Sequence, residues 1–197
     1  MTTKILKGAL IVGTTLALFS FDLPKGWFKA GSDPDKYEMG LDKGAGQDGK
    51  NAATIKSIDK NIKGFGTLMQ NCSPTKFAGK RVRMMGLLKS KDLESYAGFW
   101  LRVDALDSKK PLSFDNMYDR PIKGTTDWKK YEIVLDIPEN ASNIAYGVLL
   151  NGTGQVWFDS MTFEIVDNSV PTTGKPVEQQ MKKHSTPDLP ENLNFEE

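Results

Sequence analysis

Trp100, Arg102 and Asp104 alternate along Phe99-Trp100-Leu101-Arg102-Val103-Asp104. In an extended strand they share one face, and Phe99, Leu101 and Val103 share the other. A tryptophan on the non-core face offers a flat apolar surface to the C–H face of a sugar ring, and the flanking Arg and Asp can hydrogen-bond hydroxyls in fixed directions. The competing reading packs Trp100 under a loop and pairs Arg102 with Asp104 or Asp115. The run Ser113-Phe114-Asp115-Asn116-Met117-Tyr118-Asp119-Arg120 follows after a short polar turn. Its Asp115 and Asn116 are candidates for the rim of the platform, since binding groups gather on loops, or for a turn that bonds its own backbone. Gln70, within Gly66-Thr67-Leu68-Met69-Gln70, is a candidate neighbour from another strand. Asp104 with Asp115 would also supply the acid and nucleophile of a carboxylate-dependent glycoside hydrolase.

Other chemistries are poorly served. The chain has 197 residues, with 26 Lys and Arg against 25 Asp and Glu, a net charge of +1. No field of one sign is available to gather nucleic acid. Cys72 is the single cysteine, which excludes an intramolecular disulfide and a thiolate metal cluster. His184, the single histidine, stands in the polar stretch Met181-Lys182-Lys183-His184-Ser185-Thr186-Pro187, which argues against a Ser-His-Asp or Cys-His site and a His-ligated zinc. No glycine-rich loop suited to cradling phosphate is present. The balance favours binding over catalysis.

The elements that would position these residues are strands. From Lys25 to Val166 short apolar or alternating runs are broken by Gly, Asn, Asp and Pro, with no long stretch at helical period. Strands are expected at Trp27 to Ala30, Tyr37 to Leu41, Ala53 to Ile58, Gly66 to Asn71, Arg81 to Lys89, Gly98 to Leu106, Pro111 to Phe114, Trp128 to Ile137, Ile144 to Leu150 and Val156 to Ile165. Tyr131, Ile133, Leu135 and Ile137 form an inward face opposite Lys130, Glu132 and Asp136. Such a series predicts an all-β, two-sheet antiparallel jelly-roll sandwich over residues 22–166. Upstream, Lys4 and Lys7 precede an apolar run from Gly8 to Phe21, which reads as a secretory signal peptide over residues 1–21. An ordinary first strand or buried helix is the alternative. The first reading places the mature chain in the periplasm or outside the cell, with no stable membrane insertion. Residues 167–197 are a Pro-rich, charged tail.

Gly124-Thr125-Thr126-Asp127-Trp128, the Pro-containing turn Ile137-Pro138-Glu139-Asn140-Ala141, the strand into Leu150-Asn151-Gly152-Thr153-Gly154 and the closing Trp157-Phe158-Asp159 resemble the C-terminal half of carbohydrate-binding jelly rolls, the galactose-binding-like modules attached to many polysaccharide hydrolases. Gly98 to Asp104 and Phe114-Asp115-Asn116-Met117 resemble a less characterised branch, whose members occur alone in exported bacterial proteins or appended to predicted regulators and hydrolases. The likeness covers Trp27 to Val166. It implies a non-catalytic module for carbohydrate or a related polyhydroxylated ligand. The rival of another class is a structural or protein-interaction domain whose sheet edge or tail recruits a partner.

The resemblance also implies a structural calcium, with Asp159 at the acidic position. Calcium takes six to eight oxygens, so carbonyls and a second carboxylate must join it. Leu23-Pro24-Lys25-Gly26-Trp27 matches the family's opening, but the strand expected before it is displaced. Two segments could substitute: Phe19-Ser20-Phe21-Asp22, or Asn192-Leu193-Asn194-Phe195-Glu196 at the other end. If residues 192–197 add to the sheet as an edge strand, in the same molecule or a neighbour, Glu196 comes near Asp159. The alternative is a loose terminus.

Overall fold

The computed structural model describes residues 21–174. The strands, in chain order, are β1 (Phe28–Gly31), β2 (Tyr37–Asp42), β3 (Ala52–Ser57), β4 (Phe65–Cys72), β5 (Lys80–Asp104), β6 (Ser113–Asp115), β7 (Ile122–Ile137), β8 (Asn143–Asn151) and β9 (Gln155–Val166). A single 3-10 turn, Pro34–Lys36, interrupts them. All pairings are antiparallel, and they follow the path β1-β4-β8-β5-β9-β3-β2, with β6 and β7 also on β5. Among the described residues no helix is long and apolar enough to cross a membrane.

β5 makes two leaves out of this path. Its first half pairs with β9 and β7, from Arg81 opposite Val166 and Asp136 onward. Its second half pairs with β8, from Tyr96 opposite Asn151 to Asp104 opposite Asn143, and with β6. The register against β7 slips between Leu88 and Ala97, and Asp92 takes a left-handed φ of 53°. Irregularities of this kind bend a strand without ending it. The two separate strands expected at Arg81 to Lys89 and Gly98 to Leu106 are therefore one element. The strand expected from Trp128 begins earlier, at Ile122.

The core lies between the leaves. Phe99, Leu101 and Val103 of β5 are fully buried with Ile144, Val148 and Leu150 of β8, Leu68 of β4, Met39 of β2 and Ile55 of β3. Ile133, Leu135 and Ile137 face it as the alternation requires, with Tyr131 partly buried beside them. The jelly-roll sandwich expected from the strand pattern is the architecture observed. One edge is already occupied by the chain's own upstream residues: Leu41 N–H donates to Asp22 O at 2.8 Å along β2. A Cβ at Gly40 would fall 2.5 Å from that same oxygen and 2.7 Å from Phe21 Cβ, so glycine is what permits the approach. Phe21-Asp22, the described part of the first of the two substitute segments, thus lies along β2 without forming a strand; residues 19, 20 and 192–197, and the expected signal segment up to residue 20, lie outside the described residues.

Candidate functional site

The outer face of the β1-β4-β8-β5 leaf is concave. Its residues stand in cross-strand rows: Phe65, Asn151 and Tyr96; Ala30, Thr67, Leu149 and Gly98; Phe28, Met69, Gly147 and Trp100; Asn71, Ala145, Arg102 and Phe114; then Asn143 and Asp104. Small residues alternate with large ones, and the result is a cleft of about 580 Å³ lined by Trp100, Arg102, Asp104, Asn71, Asn116 and Asn143 among others. That is within the range of small-ligand sites, roughly 300–1,000 Å³.

Trp100 is fixed in this cleft. Its indole Nε1–H donates to Thr67 Oγ1 at 2.8 Å, and that hydroxyl donates in turn to Val148 O at 2.7 Å. Trp100 is on β5 and Thr67 on β4, so the ring reaches across β8, where Gly147 occupies the position opposite Trp100. A Cβ at Gly147 would fall 2.3 Å from Leu68 O and 2.9 Å from Met69 Cα, so glycine permits the close approach of β8 to β4 beside the ring. Arg102 Nε donates to Asp104 Oδ1 at 2.7 Å, and Asn143 Nδ2 approaches Asp104 Oδ2 at 3.4 Å. The Arg–Asp pair expected as the competing reading is present, but beside an open tryptophan rather than in place of it. Its charges offset one another, and the other polar groups of the cleft include the amides of Asn71, Asn116 and Asn143 and the phenol of Tyr96. At the other end Tyr96 stacks edge-on with the exposed Tyr118, centroids 6.2 Å apart. Burial, with Tyr118 adding to it, pushes the Tyr96 phenol above its ordinary pKa, so it stays a neutral donor.

Two expected site residues are elsewhere. Asp115 pairs in register with Leu101, which turns it to the core side, and it is 6% exposed. It bonds Arg120 and the Met117 N–H rather than standing on the rim. Its neighbour Asn116 does line the cleft. Asp104 and Asp115 therefore face opposite sides of the leaf, and the acid and nucleophile pair of a glycosidase is not assembled. Gln70 shares the inward parity of Leu68, and its side-chain oxygen accepts a bond from the Tyr146 hydroxyl inside the sandwich. The β4 residues that line the cleft are Phe65, Thr67, Met69 and Asn71. Adjacent apolar Leu68 and Met69 hide the parity of this strand, and Asn143 begins a strand, β8, whose run of buried residues does not alternate.

Asp159 Oδ1 accepts the Ser160 N–H at 2.6 Å. A Cβ built on Gly46 would sit 3.0 Å from Lys50 O, 3.1 Å from Asn51 O and 3.1 Å from Asp159 Oδ2. Three oxygens thus surround one small space, a donor set of the type calcium prefers. They fit in kind and fall short in number. No group of three or more His, Cys, Asp or Glu side chains able to hold a metal occurs among the described residues, and Glu196 lies outside them.

No family model matches the chain. It is 43% identical over 174 residues to an uncharacterized HTH-type transcriptional regulator, YbfP, of Bacillus subtilis; that match covers 88% of this chain and 57% of the regulator. The chain therefore spans little more than half the length of this relative. Among solved structures, the CBM22-1 xylan-binding domain from Paenibacillus barcinonensis is similar with a TM-score of 0.53 and 13% identity, over 75% of this chain and 90% of that one. The fold is a jelly-roll β-sandwich of the architecture that this neighbour has. The enzymatically active domain of bacteriophage CBA120 tailspike protein 4 is also similar, with a TM-score of 0.53 and 9% identity, over 72% of this chain and 20% of that one. At such identities the likeness is one of architecture, and function has to be argued from the site.

Proposed function

We propose that the chain is a non-catalytic binding module of the galactose-binding-like group that holds an uncharged carbohydrate, or a related polyhydroxylated ligand, in the Trp100 cleft. The observation that carries this reading is the pinned indole: an aromatic face held by Thr67, flanked by Arg102, Asp104 and three asparagines, in an open groove. Pre-organised groups lose little freedom on binding, so more of the contact energy appears as affinity. An uncharged ligand suits a cleft whose one cation and one anion are already paired. The xylan-binding neighbour of like architecture supports a sugar, and the regulator relative supports a module whose occupancy is sensed. Export rests on Lys4, Lys7 and the apolar run after them.

Covering about 60 Å² of the indole is worth roughly 1.5 kcal/mol, or about tenfold in affinity. Glycan-array screening followed by calorimetry is expected to find a neutral glycan whose affinity falls at least that much in Trp100→Ala, with the fold intact by circular dichroism. Undiminished binding by Trp100→Ala, or no neutral glycan retained at all, would overturn the assignment.

A further inference from the structure

The cleft wall and the chain leaving the sandwich meet at one carboxylate. Asp115 Oδ1 accepts the Met117 N–H at 2.8 Å and Arg120 Nη1 at 3.3 Å; Oδ2 accepts Arg120 Nη2 at 2.6 Å and the Thr173 hydroxyl at 2.5 Å. On either side of Asp115 in sequence, Phe114 and Asn116 line the cleft. Met117 holds a left-handed φ of 55° at 1% exposure, with Gly98 beneath it. A non-glycine residue keeps such a conformation only where its surroundings hold it, and the Asp115 bond is one of those holds.

Thr173 belongs to the segment beyond β9, and that segment is clasped to the sandwich along its length. Arg81 Nη1 donates to Asn168 O at 2.8 Å and to Val170 O at 2.7 Å. Thr173 N–H donates to Val134 O at 2.9 Å, and Val134 N–H donates to Thr173 Oγ1 at 2.9 Å. With one proton to give, the Thr173 hydroxyl has the Asp115 carboxylate at 2.5 Å and the Val134 carbonyl at 3.4 Å, so the charged acceptor takes it. At Gly174 a Cβ would fall 2.5 Å from Leu135 Cδ2 and 2.7 Å from Phe114 O, so the docked backbone touches the cleft-wall strand itself.

We propose that Asp115 and Thr173 are positioning residues that join the docking of residues 167–174 to the geometry of the cleft wall at Asn116. Docking the segment fixes the wall; a ligand resting on Asn116 tightens the docked segment by the same factor, because coupling between two binding events is reciprocal. The ligand half of this statement rests on the cleft being the binding site; the wall half does not.

Hydrogen exchange on the full chain tests the wall half alone. A bond to a charged group is worth roughly tenfold or more in an opening equilibrium. Thr173→Val is expected to speed exchange at Met117 and Tyr118 about that much, while β8 keeps its protection and Thr173→Ser behaves as wild type. Unchanged exchange at Met117 and Tyr118, or a loss spread evenly over the sheet, overturns the proposal. Trp100→Ala is expected to leave this exchange untouched while removing glycan binding, which separates failure of the cleft reading from failure of the connection. With xylohexaose as the calorimetric probe, Thr173→Val is expected to bind several-fold more weakly, and saturating probe to slow exchange in residues 167–174 of the wild type. Equal affinity in both proteins overturns the coupling. If wild type does not bind xylohexaose, the exchange result at Met117 alone decides the positioning role.

Discussion

Replacing Thr67 with valine removes one hydroxyl and almost no volume, at a residue that is 3% exposed. Two hydrogen bonds go with it: the one accepted from Trp100 Nε1 and the one donated to Val148 O. Neutral bonds of this kind contribute about 1 kcal/mol each, and the half-buried indole N–H can recover part of its loss from water. The net cost is therefore about 1–2 kcal/mol, which for a domain of this size lowers the melting temperature by roughly 2–8 °C. The ring is also released from its fixed pose, so glycan affinity is expected to fall several-fold although Thr67 meets the ring only at its Nε1 edge and, being 3% exposed, offers a ligand almost no surface of its own. Calorimetry and thermal melts of Thr67→Val, Trp100→Phe and the double variant form a cycle. Because both single changes break the same bond, the double variant is expected to cost about 1 kcal/mol less than their sum. Strict additivity, or a Thr67→Val protein with wild-type melting and binding, would refute the pinned-indole reasoning.

Tyr37 is buried, its hydroxyl donates to Gly152 O at 2.9 Å, and its pKa is pushed up to about 12, chiefly by burial and then by Asp33. The unfolded phenol loses its proton near pH 10, so this contribution to stability is whole below pH 10 and declines as the pH rises towards 12. Alkaline unfolding curves are expected to flatten over that window in Tyr37→Phe; an unaltered curve assigns the transition to another group. A calcium ion completed at Asp159 by ligands beyond the three oxygens found there would raise the melting temperature of the full chain relative to a chelated sample, and Asp159→Asn would abolish the difference; equal melting with and without the ion rejects the metal.

Strands such as β7 were legible because they bury one face and wet the other, which alternation states directly, and β8, buried on both faces, was legible as a short apolar run. β5 was read as two elements because Lys89 to Ser95 carries mostly polar residues where the strand bends, and polarity at a bend is indistinguishable from a turn until the register is known. The Trp100 row was legible for the same reason as the strands: its inward partners Phe99, Leu101 and Val103 are unambiguous. Thr67 and Asn143 were not, since a cleft is made by which strands adjoin, and the order β4-β8-β5 is not written in any one of them.

Asp115 is the informative miss. In β6 the usual assignment of sides is inverted, with Phe114 facing the cleft and the carboxylate facing inward. A charge is tolerated there because Arg120, five residues on, and Thr173, after the last strand, both bond it. With the segment docked, Arg120 is still one-third exposed while the Asp115 side chain is 5% exposed, so the pair is solvated on the arginine's side and buried on the carboxylate's. Thr173 and Gly174 supply part of the cover over Asp115. Removing Arg120 leaves a buried carboxylate without its charge partner, whereas removing the cover opens that carboxylate to water. On the proposed connection, the wall of the cleft owes its rigidity to a segment that composition marks as a tail, and residues 167–174 act with the sandwich in positioning Asn116.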